Sequence, residues 1–388
     1  MGIIKMSQKV NKRILHIMSS HGGGISTFIR NLATEIHRFG IVFDVVTYGP
    51  CPPEFVEAIR RTGGDVYQIK NPKKEGWRQF YKSFSRVIKL YHYDVIHCHI
   101  AGYRALAYKT ISNFQSEAEF IIHAHHYVDD NQLSVAQRFL HYLNQMINQT
   151  VSAKFVGCSR DAVQALFGYK IDRKDMIIIP NSIEPDDFIF ESEEENNFRE
   201  KGREHYGISK DTIVVGQVGR LAPIKNHALT LQVAEIAKLK KLNMKFIIAG
   251  SGELEEVLKE RIGVNQLDDY VQLVGRISPI AELFPVMDVL FFPSINEGLG
   301  TTAIESQAAG VPVVLSHTIP MEVELGLNLL HRVNLSAAPS DWLKEVLKAS
   351  RERKVDSSER LMALERNNYT NIQAAKLYAT SIAQYTNY

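Results

Sequence analysis

Short apolar runs, each bounded by glycine or polar residues, recur along this chain and alternate with longer stretches that are apolar on one side only. The runs at residues 13–18, 43–48, 65–69, 94–99, 120–125, 155–158 and 176–179 have strand length. Stretches between them, such as 28–37, carry helical spacing. Strand and helix in alternation predict a parallel sheet with helices on both faces, whose ligands sit beyond the carboxyl ends of the strands. A polar interval at 186–203, with an acidic run at 191–195, reads most simply as a solvated linker. The pattern then starts again with buried runs at 212–218, 246–250, 271–276 and 289–292. A chain of 388 residues is too long for one ordinary core and suits two domains of roughly 200 residues or fewer.

Composition narrows the class. An apolar content of 45% is that of a globular protein, and a formal charge of +2 makes no global case for nucleic acid. Cys51, Cys98 and Cys158 are too few and too scattered for a disulfide framework or a zinc site, which fits a reducing compartment. The opening Met-Gly-Ile-Ile-Lys-Met lacks the apolar core of a signal peptide, and Met6 stands where a myristoylation motif wants Ser or Thr. No run approaches the length of apolar sequence that spans a bilayer.

The most chemically informative stretch is 297–312, Glu-Gly-Leu-Gly-Thr-Thr-Ala-Ile-Glu-Ser-Gln-Ala-Ala-Gly-Val-Pro. It follows the run at 289–292 as a glycine turn and a short helix that Gly310 and Pro312 end. Gly298 and Gly300 let a ligand approach the backbone, and the N–H groups of Gly300, Thr301 and Thr302 can point at a phosphate. Glu297 and Glu305 bracket the turn, and since carboxylates do not bind phosphate, sugar and ribose hydroxyls are their natural partners. Taken singly, each reads more simply as an ordinary loop or helix-start acid.

Three further loops follow strand-like runs. Residues 19–27, with Gly22, Gly23 and Gly24, form a strand–glycine loop–helix pattern that is weak evidence alone. At 219–226, Arg220 and Lys225 leave a strand end and approach a helix start; they are either solvated loop charges or, beside Glu297, a pyrophosphate clamp. Gly252 lies in the turn after 246–250, and Arg276 ends the run at 271–276 with Ile277 following it.

Two strand ends carry histidines, His97 and His99, then His123, His125 and His126. Such pairs lie on one face of a strand and read as the start of a metal site, although no acid follows at a convincing ligand spacing and only Asp129 and Asp130 are near, or as sheet-end histidines satisfied by backbone groups. In 73–91, Trp77, Phe80, Tyr81, Phe84, Ile88 and Tyr91 follow helical spacing beside Arg78, Lys82, Arg86 and Lys89. That is either a surface helix with its aromatic face in the core or an interfacial helix on anionic lipid.

Glu-x7-Glu followed by Ala-Gly-x-Pro-Val, together with Gly-Arg-Leu and a lysine five residues beyond the arginine, resembles the signatures of retaining glycosyltransferases of the GT-B fold, family 4, in its capsular and exopolysaccharide branch. Residues 180–184, Pro-Asn-Ser-Ile-Glu, resemble the family's Pro-Asn-Gly-Ile-Asp with Ser182 for Gly, and Asn226 stands where many members have Gly. Residues 319–323 with Trp342 resemble the exopolysaccharide branch. The resemblance implies two Rossmann-like doubly wound α/β domains facing each other across a cleft. The acceptor domain would span 1–184, with a final helix at 372–385 returning to it within 370–388, and the donor domain 185–369.

By the same resemblance the enzyme moves a sugar from a nucleotide-diphosphate sugar, a UDP-sugar, to a glycan or lipid-linked saccharide acceptor, with no metal or other cofactor. Arg220 and Lys225 would hold the diphosphate with Gly300, Thr301 and Thr302, Glu297 the sugar hydroxyls and Glu305 the ribose. His125 would contact the transferred sugar, and Gly23 and Gly24 would meet the phosphates or acceptor across the cleft from Glu297. Gly252, and backbone groups near Arg276 and Ile277, would complete the nucleotide site. Retention would follow from same-face attack, with a diphosphate oxygen taking the acceptor's proton. The expected location is the cytoplasm, with peripheral contact on the inner face of the membrane if the helix at 73–91 is interfacial. A nucleotide-sugar epimerase of similar shape and a non-catalytic sugar- or lipid-binding assembly partner are the alternatives.

Overall fold

The computed structural model describes residues 12–127, 133–352 and 355–384. The opening hexapeptide, Asp129, Asp130 and Tyr385 lie outside the described residues. The chain divides into two compact units, Met1–Ser182 with Asn368–Tyr388, and Ile183–Asn367.

In the first unit, β1 (Lys12–Ile17), β2 (Ile41–Thr47), β3 (Val66–Gln68), β4 (Val95–Cys98), β5 (Glu119–Ala124), β6 (Phe155–Gly157) and β7 (Met176–Ile178) form one sheet in the order β3-β2-β1-β4-β5-β6-β7. All pairs are parallel. Apolar clusters cover both faces: Ile14, Phe28, Phe43 and Tyr378 belong to one, Leu15, Phe80, Phe84 and Phe120 to the other. Burial on both sides is why these strands read as continuous apolar runs. The helix Asn371–Ser381 belongs to this unit, and its small buried residues Ala374, Ala375 and Ala379 let it lie close on the helix Gly24–Ile36.

The second unit holds β8 (Ile213–Val218), β9 (Met244–Ala249), β10 (Val271–Gly275), β11 (Val289–Phe292), β12 (Val313–Ser316) and β13 (Leu330–Val333), ordered β10-β9-β8-β11-β12-β13 and again parallel. Trp342, on the helix Pro339–Ala349, is fully buried edge-on to Phe291.

The polar interval is not a linker. Residues Ser192–His205 form a helix whose first turn carries Glu193, Glu194 and Glu195, where the helix dipole favours acids. Further along, Arg199 and Arg203 bind the two oxygens of Asp288 at 2.5 and 2.7 Å, and Asp288 also accepts the Val214 amide. Acidity that suggested solvation instead marks a helix start, anchored by arginines to the entry of β11.

The aromatic residues of 73–91 divide between the core and the surface. Residues 73–91 break at Gly76, with φ 83°, between a short turn Pro72–Glu75 and the helix Trp77–Ile88. Phe80, Phe84 and Ile88 are core, whereas Trp77, Tyr81 and Tyr91 are about half exposed beside the exposed Arg78, Lys82, Arg86 and Lys89. Ser182 has no positive φ; it is buried, and its carbonyl accepts a hydrogen bond from Asn31.

Candidate functional site

Strand order reverses in the second unit between β8 and β11, and at such a switch the loops leaving two neighbouring strands diverge and open a crevice. The loop after β8 carries Arg220 and Lys225; the loop after β11 carries Glu297. Lys225 Nζ lies 2.5 Å from Glu297 Oε1, with both side chains less than a fifth exposed. Lys225 also sits 5.3 Å from the centre of the Phe292 ring.

Buried polar groups set this geometry. Gln217 Nε2 donates to the Lys225 carbonyl at 2.8 Å, while Gln217 Oε1 accepts from His227 Nδ1 and the Thr230 hydroxyl. The Ile295 amide donates to the Ile224 carbonyl, which ties the two loops together, and the Thr318 hydroxyl donates to the Ile295 carbonyl. Asn226 takes φ 53°, a left-handed conformation that Asn tolerates, and opens the helix His227–Leu239. Gly250 and Gly252 let the loop after β9 press on the loop after β8. A Cβ on Gly250 would stand 1.8 Å from the Gly219 carbonyl oxygen, and one on Gly252 2.4 Å from that of Leu221.

The helix Thr301–Ala308 starts at Gly300, whose φ of 97° a side chain would strain. Thr301 and Thr302 are half-buried on its first turn, and Glu305 follows one turn later. Burial raises Glu305 to about 7, opposed by the positive charge of Lys225, so near neutrality its carboxyl stands between acid and acceptor. Arg220 is exposed on the same loop as Lys225. The second unit therefore brings Lys225, Glu297 and Glu305 to one place, with Arg220 on the same loop as Lys225 and Gly252 on the adjoining one. Arg276 and Ile277 follow β10, which lies beyond β9 from β8.

The first unit has its own switch point, between β1 and β4. Gly23, with φ 79°, caps the helix Gly24–Ile36, and both glycines are exposed on the loop after β1. Nearby is a cavity of about 500 Å³ lined by Ser19, His99, His123, His125, His126 and the polar side of the helix Val135–Val151. Lys73 and Arg104 also line it, two cations that no spacing in the sequence singled out. Gly102 is required at its floor, with φ 68° and a virtual Cβ 2.5 Å from Asn144 Oδ1, and its amide donates to Asn148 Oδ1.

His99, His123 and His125 of the cavity lining join His16, His97 and Tyr378 in one buried cluster. His16 Nδ1 meets His99 Nε2 at 3.0 Å and His99 Nδ1 meets His125 Nε2 at 2.7 Å. His97 Nε2 meets His123 Nδ1 at 3.1 Å, and His97 Nδ1 meets the Tyr378 hydroxyl at 2.6 Å. Burial lowers all five histidines below the usual range, His97 to about 3, so they are neutral at pH 7. Among the described residues, His16, His97 and His99, and likewise His99, His123 and His125, bring ring nitrogens within 4.8 Å of one another and are the groups that could hold a metal. Their nitrogens are nevertheless aimed at one another in pairs, and ligation would have to break those bonds. Neither Tyr378 nor His16 was legible as a site residue, because each is separated in sequence from its partners and reads as core.

Residues 22–187 match the model described as Glycosyltransferase Family 4, and residues 198–329 the one described as Glycosyl transferases group 1. A protein that bears a glycosyltransferase name, EpsF of Bacillus subtilis (strain 168), is 28% identical over 353 residues, covering 87% of this chain and 88% of its own. The D-inositol 3-phosphate glycosyltransferase of Corynebacterium jeikeium (strain K411) is 25% identical over 353 residues, covering 82% and 81%. The crystal structure of Anabaena HepE in complex with UDP-glucose superimposes with a TM-score of 0.76 at 17% identity, over 96% of this chain and 99% of that one. No helix among the described residues is long and apolar enough to cross a membrane.

Proposed function

We propose that this chain, which belongs to the GT-B glycosyltransferases, with successive segments matching the family 4 and group 1 models, is a retaining enzyme that moves a sugar from a UDP-sugar to a saccharide acceptor in exopolysaccharide synthesis. The observation that carries this reading is the contact between Lys225 and Glu297 at the switch point of the second unit, next to Glu305 and the start of the helix Thr301–Ala308. Cleavage of the anomeric bond places negative charge on the leaving diphosphate and positive charge on the sugar ring. Lys225, Arg220 and the helix start supply stabilisation for the former without a metal. Arrival of the diphosphate would draw Lys225 from Glu297 and leave that carboxylate to accept sugar hydroxyls. Glu305, in its ionised form, would accept the ribose hydroxyls. A diphosphate oxygen then takes the acceptor's proton during same-face attack, so no carboxylate pair at glycosidase spacing is needed. The relatives' names support the reaction class, and UDP-glucose in HepE supports the donor class.

The acceptor in this reading is lipid-linked. Lys73 and Arg104 give the cavity of the first unit two cations for an anionic head group, and the helix Val135–Val151 exposes Phe139, Leu140, Tyr142 and Met146 beside it. Together with the exposed aromatics and cations of the helix Trp77–Ile88, this surface suits peripheral contact with the inner face of a membrane. Incubation of the purified chain with a panel of UDP-sugars, with and without a lipid-linked saccharide extract, tests the reading. Acceptor-dependent release of UDP, with the anomeric proton of the product keeping the donor's configuration, is expected. Conversion of the donor in the absence of acceptor would make the chain an epimerase instead, and stable donor in every arm a non-catalytic partner.

A further inference from the structure

The histidine cluster has a property that its members lack singly. A neutral imidazole has one N–H and one lone pair, so each ring in a hydrogen-bonded string donates on one side only and fixes what its neighbour does. His125, His99 and His16 make one such string, and His123 and His97 another. Tyr378 lies between their inner ends, 2.6 Å from His97 Nδ1 and 3.5 Å from His16 Nε2. Its hydroxyl has one proton. If it donates to His16 it must accept from His97, and if it donates to His97 it must accept from His16.

We propose that Tyr378 couples the two strings into a single directional circuit whose ends, His125 and His123, always present one donor and one acceptor nitrogen toward the cavity. Two arrangements satisfy every link. With all five rings protonated at Nδ1, bonds run from His123 through His97, Tyr378, His16 and His99 to His125, leaving His123 Nε2 as acceptor and His125 Nδ1 as donor. With all five protonated at Nε2, every bond reverses and the two ends exchange roles. Mixed arrangements set two donors or two acceptors face to face at one link or more and leave them unpaired, which is costly in a site of low polarity. Three observations favour the circuit. Burial disfavours a charged imidazole at every position, which keeps the one-donor rule intact. His123 Nε2 is buried with no hydrogen-bond partner among the described residues, which leaves that end of the string open. The two ends also lie together, with His123 and His125 stacked at 4.2 Å and both lining the cavity.

A donor and an acceptor side by side suit a sugar hydroxyl, which donates once and accepts as well. This role for the ends rests on the reading of His125 as a sugar contact. Tyr378 is a positioning residue. It is buried on the helix Asn371–Ser381 and acts only through the rings it joins.

Nitrogen-15 NMR of the histidine rings tests the circuit without any substrate, so its outcome is independent of the transferase reading. In the wild type the five buried rings are expected to share one tautomer, all Nδ1–H or all Nε2–H. In Tyr378→Phe the strings separate, and His97 and His123 change tautomer populations independently of His16, His99 and His125. Opposite tautomers at His97 and His16 in the wild type would overturn the proposal, and this arm stands even if the variant does not fold. So would unchanged shifts at His123 and His125 in a folded Tyr378→Phe protein. With a working donor and acceptor, the same variant is expected to lose roughly tenfold in kcat, the worth of about one hydrogen bond, with the KM for donor unchanged. A variant that keeps the wild-type kcat would overturn the sugar contact given to the ends and leave the circuit to the NMR result.

Discussion

At Lys225 and Glu297, the central contact of the second unit, a cation and an acid lie 2.5 Å apart with little of either side chain exposed to solvent. Removing either leaves the other without its partner, so Lys225→Ala is expected to lower kcat/KM by about ten- to a hundredfold, the range for one charge-assisted contact. Steady-state kinetics at saturating acceptor checks this, and an unchanged kcat/KM would separate Lys225 from the chemistry. Glu305 makes a pH-dependent case. Its ordinary value of 4.5 is raised to about 7 on folding, so between these values the folded protein holds the proton more tightly than the unfolded chain. The resulting stabilisation is fully present below 4.5 and disappears as the pH rises to about 7. Denaturant unfolding is expected to show wild type losing up to about 3 kcal/mol relative to Glu305→Gln across that window. Parallel curves would contradict it. The acids were legible because their spacing and the flanking glycines are local. His16 and Tyr378 were not, since hydrogen bonds between residues 362 positions apart leave no local pattern.

Glycine turns and helix faces decide the behaviour of whole elements. The loops after β8 and β9 touch backbone to backbone at Gly250 and Gly252, where a methyl group would meet carbonyl oxygens rather than a movable side chain. Gly252→Ala is therefore expected to lower the melting temperature by several degrees and to weaken UDP binding more than Gly263→Ala, whose Cβ meets nothing within 4 Å. Equal effects of the two would show that the loops are not fixed by this contact. On the helix Trp77–Ile88, Arg78, Lys82 and Arg86 are all exposed, so changing the three to Glu is expected to reduce sedimentation with anionic vesicles while leaving the melting temperature unchanged. Unaltered sedimentation would remove this helix from the membrane surface. Strands with both faces buried were readable from their apolar runs. The polar helix Ser192–His205 was not, because acids at a helix start and acids in a solvated linker look alike until Arg199 and Arg203 find Asp288. β12 and β13 were likewise unread, being short and without a glycine turn carrying chemistry after them.

Two parallel sheets, each with a reversal of strand order, give the molecule two places where loops from separated strands converge. One gathers Lys225, Glu297 and Glu305; the other gathers five histidines and a cavity that holds Lys73 and Arg104. Lys225 beside the start of the helix Thr301–Ala308 is the physical basis for proposing that the diphosphate binds the second unit. Calorimetric titration of UDP into the wild type and into the double variant Arg220→Ala, Lys225→Ala tests this most directly. Binding by the wild type and a loss of at least about a hundredfold in the double variant, two charge-assisted contacts together, is the expected result. A wild type with no affinity for UDP, or a double variant that binds it as tightly, would contradict the account.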